Sequence, residues 1–320
     1  MVQRSEASPQ SSSESFSKKR APSVSTDQPA AAATNESWTV RRVLEWTIAH
    51  LKKSGSETPR LDAEILLAHA RGCQRIQLYV QYDVELEPEQ RLQMRDLVKR
   101  RAAHEPVAYL VGHREFFSLD FEVQRGVLIP RPDTETLVVQ LLELAKTFEA
   151  PRVLELCTGS ACIAVATAKN LASVNVTTVE IDPAVCEVAR RNIAKHGLGE
   201  RVELLQGDLF GPIGSRQFEV IASNPPYVSD ADMLTLEPDV RLHEPELALR
   251  AGADGLDIVR RIVAQAATHL IAGGAVLLEI SPEQAASVIE LFAAAGGFEP
   301  ARVAKDLAGR SRVVWTRKTA

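Results

Sequence analysis

The sequence predicts an α/β protein in which a small N-terminal helical bundle precedes a doubly wound, mostly parallel sheet. Two patterns support this prediction. From about residue 151 to the end, short apolar runs typical of buried strands alternate with stretches of helical periodicity. From residue 38 to about residue 108, helical periodicity continues with few loop signals. We therefore divide the chain into a tail (1–36), a helical domain (37–108), a linking hairpin (109–128) and an α/β domain (129–320).

The composition limits what the chain can be. Its 320 residues are 45% hydrophobic, which is enough to bury the cores of two domains. A formal net charge of −5 gives no reason to expect direct nucleic-acid binding. No apolar stretch has the length of a membrane span, and we expect a cytoplasmic protein. The cysteines form no C-x-x-C pair, which indicates reduced thiols rather than zinc ligands or disulfides: Cys73, Cys157, Cys162 and Cys186.

The first 36 residues predict a disordered tail. They are rich in Ser, Ala, Thr and Pro, and too poor in apolar residues to form a core. They lack the apolar segment of a secretory signal. A transit peptide is the alternative because basic residues lie among the serines, but acidic residues in the same stretch disfavour it: Glu6, Glu14, Asp27 and Glu36.

The helical domain contains three predicted helices. Apolar residues recur on one face from residue 40 to residue 51, and again from residue 61 until Gly72 ends the pattern. Pro88 opens a third helix that reaches the basic triplet at 99–101. The alternation at 115–123 then predicts one strand of the linking hairpin.

The α/β domain begins with an extended segment, 129–132, because each proline keeps the residue before it out of the helical region. Asp133 or Thr134 is predicted to cap a helix over 135–148. Strands are predicted at 151–156, 174–179, 218–223, 275–280 and 312–316, and helices from 162, over 256–270 and over 282–295. Gly273 and Gly274 predict a turn, and 228–249 a long loop in which residues 243–245 wall the site.

Asn224-Pro225-Pro226-Tyr227 is the most informative motif, because it follows a buried strand directly. Two prolines in a row remove two N–H donors, so the loop offers mainly acceptors. The side-chain oxygen of Asn224 and the carbonyl of Pro225 can bind both hydrogens of a planar NH₂ group, which aims its nitrogen at an electrophile. Tyr227 adds a ring on which a flat group can stack. The motif therefore predicts chemistry on an amide or aryl amino nitrogen.

A second constellation predicts the site of the electrophile. The strand at 151–156 runs into a turn of small residues and then a helix, which lets a nucleotide approach the backbone. Glu180 ends the next strand, where a carboxylate can accept from both ribose hydroxyls. Both NAD and S-adenosylmethionine use this architecture. Glu155 favours S-adenosylmethionine, since a carboxylate suits a methionine ammonium and repels a pyrophosphate, and the turn lacks G-x-G-x-x-G.

Several motifs together resemble the HemK-like family of release factor glutamine methyltransferases. They are residues 128–135 (LIPRPDTE), the turn at 155–163, residues 223–228 (SNPPYV), Glu244-Pro245, residues 252–257 (GADGLD) and residues 305–310 (KDLAGR). The resemblance extends from about Trp38 to Arg317. It implies a Rossmann-like, class I S-adenosylmethionine-dependent methyltransferase domain. It also implies transfer to the side-chain amide nitrogen of the glutamine in the Gly-Gly-Gln motif of peptide chain release factors, by a monomer whose helical domain docks the protein substrate.

The resemblance assigns roles residue by residue. It implies that Asn224, Pro225 and Tyr227 are the catalytic residues. It implies that the same three residues bind the substrate together with Arg131 and Pro226. Cofactor binding falls to Glu155, Cys157, Thr158, Gly159, Ser160, Ala161, Glu180, Asp208, Leu209 and Asn224.

The chain departs from the family pattern where Cys157 and Ala161 replace usual glycines. A positive φ at 157 would cost about 1 kcal/mol, whereas at 161, the start of a helix, we expect a negative φ. Leu209 stands where some relatives carry an aromatic residue, which predicts an aliphatic wall for adenine.

Three alternatives remain open. The chain could be a glutamine methyltransferase of a ribosomal protein, although such enzymes usually lack I-P-R-P-D-T-E. It could be an amino-methyltransferase of DNA or RNA, although the negative net charge of the chain disfavours a nucleic-acid substrate. It could also be a binding module that has lost catalysis, against which Glu180 and the complete N-P-P-Y argue.

Overall fold

The N-terminal helices pack around one apolar cluster. A computed structural model describes residues 37–320, and the tail predicted at 1–36 lies outside the described residues. The helices are α1 Val40–Lys53, α2 Pro59–Arg71, α3 Arg75–Val80, α4 Pro88–Ala102 and α5 Val107–Val111. Leu44, Leu66 and Leu97 meet in the cluster they share. The three predicted helices are confirmed, and Gly72 ends α2 with a φ of 60°. Helices α3 and α5 are too short for periodicity to reveal them.

A two-stranded hairpin follows, made of β1 His113–Phe116 and β2 Leu119–Glu122. The prediction of one strand through 115–123 is wrong, because the chain reverses at Phe117 and Ser118, whose φ values are 51° and 59°. Neither residue is a glycine or asparagine, so the sequence carries no signal of a left-handed turn. Glu135 accepts from the backbone N–H of Phe117 at 3.0 Å and stabilises that turn.

The remaining strands form one mixed sheet. They are β3 Arg152–Leu156, β4 Asn175–Glu180, β5 Val202–Gln206, β6 Phe218–Ser223, β7 Leu270–Glu279, β8 Arg302–Lys305 and β9 Ser311–Arg317. Their order is β5-β4-β3-β6-β7-β9-β8, and β9 pairs antiparallel with both of its neighbours while the other pairs are parallel. The order reverses between β3 and β6, which confirms the predicted doubly wound sheet. Ligands of such sheets bind at this point, beyond the carboxyl ends of the strands.

Helices cover both faces of the sheet. They are α6 Glu135–Ala145, α7 Cys162–Asn170, α8 Pro183–Lys195, α10 Asp257–His269 and α11 Ala285–Ala295, whereas α9 Pro238–His243 lies in the loop after β6 and buries none of its residues. Successive strand residues point to opposite faces, so Val220 packs with α6 and α7 on one side and Ile221 packs with α10 on the other. The polar residues at the strand ends are thus supported by two apolar layers.

The predicted cap of α6 is wrong. A 3₁₀ turn, Pro132–Thr134, precedes the helix, and Thr134 has a helical φ of −65° and makes no capping bond. Asp133 instead pairs with Arg312 at 2.8 Å. The Thr134 hydroxyl accepts a hydrogen bond from Asn224 at 3.2 Å. The side chains of both candidate caps therefore make tertiary contacts instead of capping the helix.

Two other predictions need correction. Gly273 and Gly274 lie inside β7, where the register with β6 shifts, and do not end the strand. The predicted loop over 228–249 contains the helix α9, which is too short and polar to show periodicity.

Among the described residues, no helix combines the length and apolar character needed to cross a bilayer. Within 37–320, no three His, Cys, Asp or Glu side chains come together as metal ligands.

Candidate active site

A cavity of about 220 Å³ opens at the carboxyl ends of β3, β4, β5 and β6, where the strand order reverses. Each of these strands contributes the residues that follow it. The walls include residues 157–160, 180–182, 207–209 and the first residues of the N-P-P-Y loop. The fold thus brings together most of the residues that the sequence predicts to form the site.

The turn after β3 has a left-handed backbone at three positions. Cys157 has a φ of 59°, Gly159 of 58° and Ala161 of 64°. The positive φ considered for Cys157 is present. The expectation of a negative φ at Ala161 is wrong, because this residue precedes α7 and its N–H donates to the Thr158 carbonyl at 3.1 Å, which requires a sharp bend. Ala161 is fully buried and lies outside the cavity wall.

Glu180 fastens this turn to the end of β4. One carboxylate oxygen accepts from the Gly159 N–H at 2.9 Å, and the other accepts from the Asp182 N–H at 3.0 Å. Each oxygen retains a lone pair for a further donor, and the residue lines the cavity. Burial raises the pKa of Glu180 above its usual value.

Glu155 lies beneath the turn and is only 1% exposed. Thr178 donates its hydroxyl to Oε2 at 2.8 Å, while Oε1 is buried without a partner. Burial, reinforced by the charge of Glu180, raises the pKa of Glu155 to about 8. The hydroxyls of Thr158 and Ser160, which line the cavity, are also buried and unpartnered. The turn therefore holds polar atoms that have no partner within the described protein.

The end of β5 forms another part of the wall. Leu209 is buried with a φ of 47° and presents an aliphatic side chain to the cavity. Asp208 pairs with Arg261 of α10 at 2.6 Å. Arg261 and Ile258 also line the cavity. The sequence of α10 has only the ordinary pattern of an amphipathic helix, so it did not indicate that these two residues belong to the site.

The N-P-P-Y loop presents Asn224 and Pro226 to the cavity, whereas Pro225 is buried and Tyr227 lies behind the wall. The amide nitrogen of Asn224 donates to the Thr134 hydroxyl at 3.2 Å, which leaves Oδ1 as the acceptor of this side chain. Burial raises the pKa of Tyr227 strongly, so its hydroxyl stays protonated. The predicted acceptor role of the Pro225 carbonyl stays a prediction.

The GADGLD motif, residues 252–257, and Gln284 support this loop. A Cβ at Gly255 would lie 2.3 Å from the Tyr227 carbonyl oxygen, and φ there is 73°, so only glycine fits. Gln284 donates to the same carbonyl at 3.0 Å. Residues 252–257 therefore form the backing of the N-P-P-Y loop.

Arg131 lines the cavity from the I-P-R-P-D-T-E segment and pairs with the buried Glu244, which also accepts from the Ile129 N–H at 3.3 Å. The prediction that residues 243–245 wall the site holds for Pro245. It is wrong for His243, which points away and contacts the Ala103 carbonyl at 3.2 Å.

The residues at this edge suit S-adenosylmethionine. Glu180 lines the cavity at the end of β4, where its carboxylate can accept from ribose hydroxyls, and the unpartnered hydroxyls of Thr158 and Ser160 line it too. Glu155 is buried beneath the turn near the end of β3, outside the cavity wall, where its charge can attract an ammonium. No G-x-G-x-x-G turn is present to bind a pyrophosphate. Fold and site together define a class I S-adenosylmethionine-dependent methyltransferase.

Comparison with known proteins narrows this class. The family model described as PrmC N-terminal domain matches residues 42–112, and the methyltransferase small domain model matches residues 132–237. The release factor glutamine methyltransferase of Rhodopirellula baltica is 46% identical over 88% of this chain and 97% of its own length. That of Geobacter sulfurreducens is 45% identical over 87% and 96%. The chain belongs to the release factor glutamine methyltransferase family.

A solved structure supports the fold alone. The catalytic domain of hMettl16, solved in complex with a 3′UTR hairpin, is 17% identical, with a TM-score of 0.53 over 68% of this chain and 81% of that chain.

Proposed function

We propose that the protein transfers a methyl group from S-adenosylmethionine to the side-chain amide nitrogen of the glutamine in the Gly-Gly-Gln motif of peptide chain release factors. One observation carries the proposal. Asn224 of N-P-P-Y is bonded through its amide nitrogen to Thr134 of I-P-R-P-D-T-E, so the two motifs form a single site with an oriented acceptor. N-P-P-Y alone would also suit an exocyclic amine of adenine.

The protein supplies orientation rather than acid–base chemistry. S-adenosylmethionine carries an electrophilic sulfonium methyl group. An amide nitrogen is a weak nucleophile because its lone pair is delocalised. Two acceptors, Asn224 Oδ1 and the Pro225 carbonyl, would bind its hydrogens so that the lone pair faces the methyl. When bound, the cofactor would supply its methyl group, whose bond to sulfur would be replaced by a bond to the amide nitrogen, and the nitrogen would then lose a proton to water. Orientation of this kind contributes roughly 7–11 kcal/mol in favourable cases.

The test offers labelled cofactor and three acceptors separately: a release factor, a ribosomal-protein mixture and DNA. We expect label in the release factor alone, at the glutamine of Gly-Gly-Gln, as shown by peptide mass spectrometry. Asn224→Ala serves as the inactive control. Label in ribosomal protein or DNA, with none in the release factor, would favour the corresponding alternative. The reaction belongs to the cytoplasm, where translation terminates, and the expectation of a monomer that binds no nucleic acid stays a prediction.

We further propose that the helical domain, 37–108, docks the release factor. Between α1 and α4 lies a groove of about 800 Å³ with Trp46 and Leu92 half or more exposed in it. Arg91, Arg95 and Lys99 line the same groove. Apolar side chains among cations suit an acidic, partly apolar face of the substrate protein. A short glutamine motif gives the cavity little to recognise, so a second contact area would supply binding energy and selectivity.

Point variants test docking better than deletion. Arg101 of α4 pairs with Asp239 of α9 at 2.7 Å, so removing the helical domain would also disturb the loop that carries Pro245. Trp46→Ala should raise KM for a whole release factor at least tenfold and leave KM for a short Gly-Gly-Gln peptide unchanged. Val80→Ala, which removes an exposed side chain outside the groove, is the matched control. Equal losses on both substrates would refute docking at this groove.

A further inference from the structure

A buried asparagine of α8, Asn192, joins the turn after β3 to the linking hairpin. Its side chain is fully buried, and it belongs to none of the roles described above. Its Nδ2 donates to the Ser160 carbonyl at 2.9 Å and to the Glu122 carbonyl at 3.0 Å. Its Oδ1 accepts from the Glu122 N–H at 2.8 Å. Because Glu122 offers one donor and one acceptor to the same amide, only one orientation of the Asn192 side chain satisfies all three bonds.

On the hairpin side, Asn192 takes the place of a neighbouring strand. Val123 donates its N–H to the Gly112 carbonyl at 3.0 Å, so the preceding residue, Glu122, points its N–H and carbonyl away from β1. Among the described residues, β2 pairs with no strand other than β1. The amide of Asn192 has the donor and the acceptor of a peptide group, and it satisfies both backbone groups of Glu122. The end of β2 is thereby fixed to α8.

On the other side, Asn192 fixes the peptide group between Ser160 and Ala161. The carbonyl of this group accepts from Asn192, and its N–H donates to the Thr158 carbonyl at 3.1 Å. Ala161 has a φ of 64°, where contacts of its Cβ make the backbone unfavourable. The bond from Asn192 therefore opposes the relaxation of a strained turn. Ser160 lines the cavity, and its buried hydroxyl has no partner within the described protein.

We propose that Asn192 is a positioning residue for the cofactor. It holds the turn after β3 in the left-handed conformation that presents Ser160 to the cavity, and it couples that turn to the hairpin that leads to the helical domain. The inference requires that S-adenosylmethionine binds, but it requires no particular methyl acceptor. Its failure would appear in cofactor binding alone, whereas failure of the proposed function would appear as an absence of methyl transfer to the Gly-Gly-Gln substrate.

Isothermal titration calorimetry with S-adenosylmethionine, well below the melting temperature, tests the first part. Asn192→Leu keeps a similar side-chain volume and removes all three bonds. Cofactor Kd should rise about tenfold or more, because the buried Ser160 carbonyl loses its donor and the turn relaxes. A residue that only stabilises the fold would lower the melting temperature and leave Kd unchanged. A folded Asn192→Leu protein with Kd within about threefold of wild type would overturn the inference.

Arg191→Ala is the matched control. Arg191 precedes Asn192 on α8 and donates to the side chains of Glu122 and Gln124, at 2.8 and 3.2 Å, so its bonds lie on the hairpin side alone. Its cofactor Kd should stay within about twofold of wild type, because an exposed ion pair contributes little to the fold. An equal rise in Kd for Arg191→Ala and Asn192→Leu would assign the effect to the hairpin and overturn the role of the bond to the turn.

Ala161→Gly shows whether Asn192 acts through the left-handed backbone. Glycine adopts a positive φ without the steric cost of a Cβ, so the turn then needs less support. In the Ala161→Gly background, Asn192→Leu should raise cofactor Kd only about threefold, instead of tenfold or more, because the two positions are coupled. Equal factors in the two backgrounds would refute the claim that Asn192 holds this conformation.

Hydrogen exchange, followed by NMR, tests the coupling in the unchanged protein and does not depend on a variant that folds. The Glu122 N–H is bonded to Asn192, so a cofactor that stabilises the turn should also slow the exchange of this N–H, by about fivefold or more. The Leu86 N–H, bonded to the Trp38 carbonyl at 2.9 Å in the helical domain, should exchange equally fast with and without cofactor. Unchanged exchange at Glu122 under saturating S-adenosylmethionine would overturn the coupling.

Discussion

Cofactor affinity should depend on pH through Glu155, and Glu155→Gln should remove that dependence. In the free protein, burial raises the pKa of this carboxyl to about 8, and its Oε1 has no partner. A methionine ammonium would pair with the ionised form. At pH 7 only about one carboxyl in ten is ionised, so binding must first meet a deprotonation cost of about 1.4 kcal/mol. At pH 6 the cost is about 2.7 kcal/mol.

Wild-type affinity should therefore be about tenfold weaker at pH 6 than at pH 7, a range in which an α-amino group stays mostly protonated. Isothermal titration calorimetry in two buffers of different ionisation enthalpy should show release of nearly one proton at pH 7. Glu155→Gln should bind more weakly than wild type at pH 7, without a pH slope or proton release. Glu290→Gln, at an exposed position, should behave like wild type. A wild-type affinity constant within twofold between the two pH values would refute the pairing of Glu155 with the ammonium.

Further predictions concern the turn and the N-P-P-Y loop. Asn224→Ala should lower single-turnover rates on a Gly-Gly-Gln peptide about 10²–10³-fold with little change in cofactor Kd; more than a tenth of the parental rate would exclude its role. Glu180→Ala should raise cofactor Kd at least tenfold in calorimetry, because it removes the carboxylate that also holds the Gly159 N–H; an unchanged Kd would place the ribose elsewhere. Cys157→Gly should raise the free energy of unfolding in urea by about 1 kcal/mol, since a left-handed backbone costs a residue with a Cβ about 1–2 kcal/mol. A destabilised Cys157→Gly would contradict this.

The sequence revealed residues that follow apolar strands directly, because the end of a parallel strand and the ligand-binding edge of the sheet coincide. The turn at 157–160, Glu180 and Asn224 were found in this way, Asp208 came from the family resemblance, and the structure places all of them around one cavity. Arg261 and Ile258 were not predicted to line the cavity, because they lie on a helix whose apolar pattern is explained by packing alone.

Backbone conformation was the harder part to predict. Ala161, Phe117 and Ser118 have positive φ although none is a glycine. The Phe117 N–H donates to the distant Glu135 carboxylate, and the Ala161 N–H donates to the Thr158 carbonyl within the turn. Thr134 lay in a motif that was noticed, yet a capping role explained it locally, and only its bond to Asn224 shows otherwise.

The carboxyls at this edge also explain why the site suits a cationic cofactor. Glu180 ends β4, Glu155 lies near the end of β3 and Glu279 ends β7, and each is less than 9% exposed with a raised pKa. Ionising them costs free energy in the free protein, most of it from desolvation. The positive charge of a ligand with a sulfonium and an ammonium would stabilise the ionised forms nearby and offset part of that cost, whereas a pyrophosphate would add to it. The choice between the two nucleotide cofactors that use this fold is therefore made by the charge at the strand ends, and the turn between strand and helix plays the smaller part.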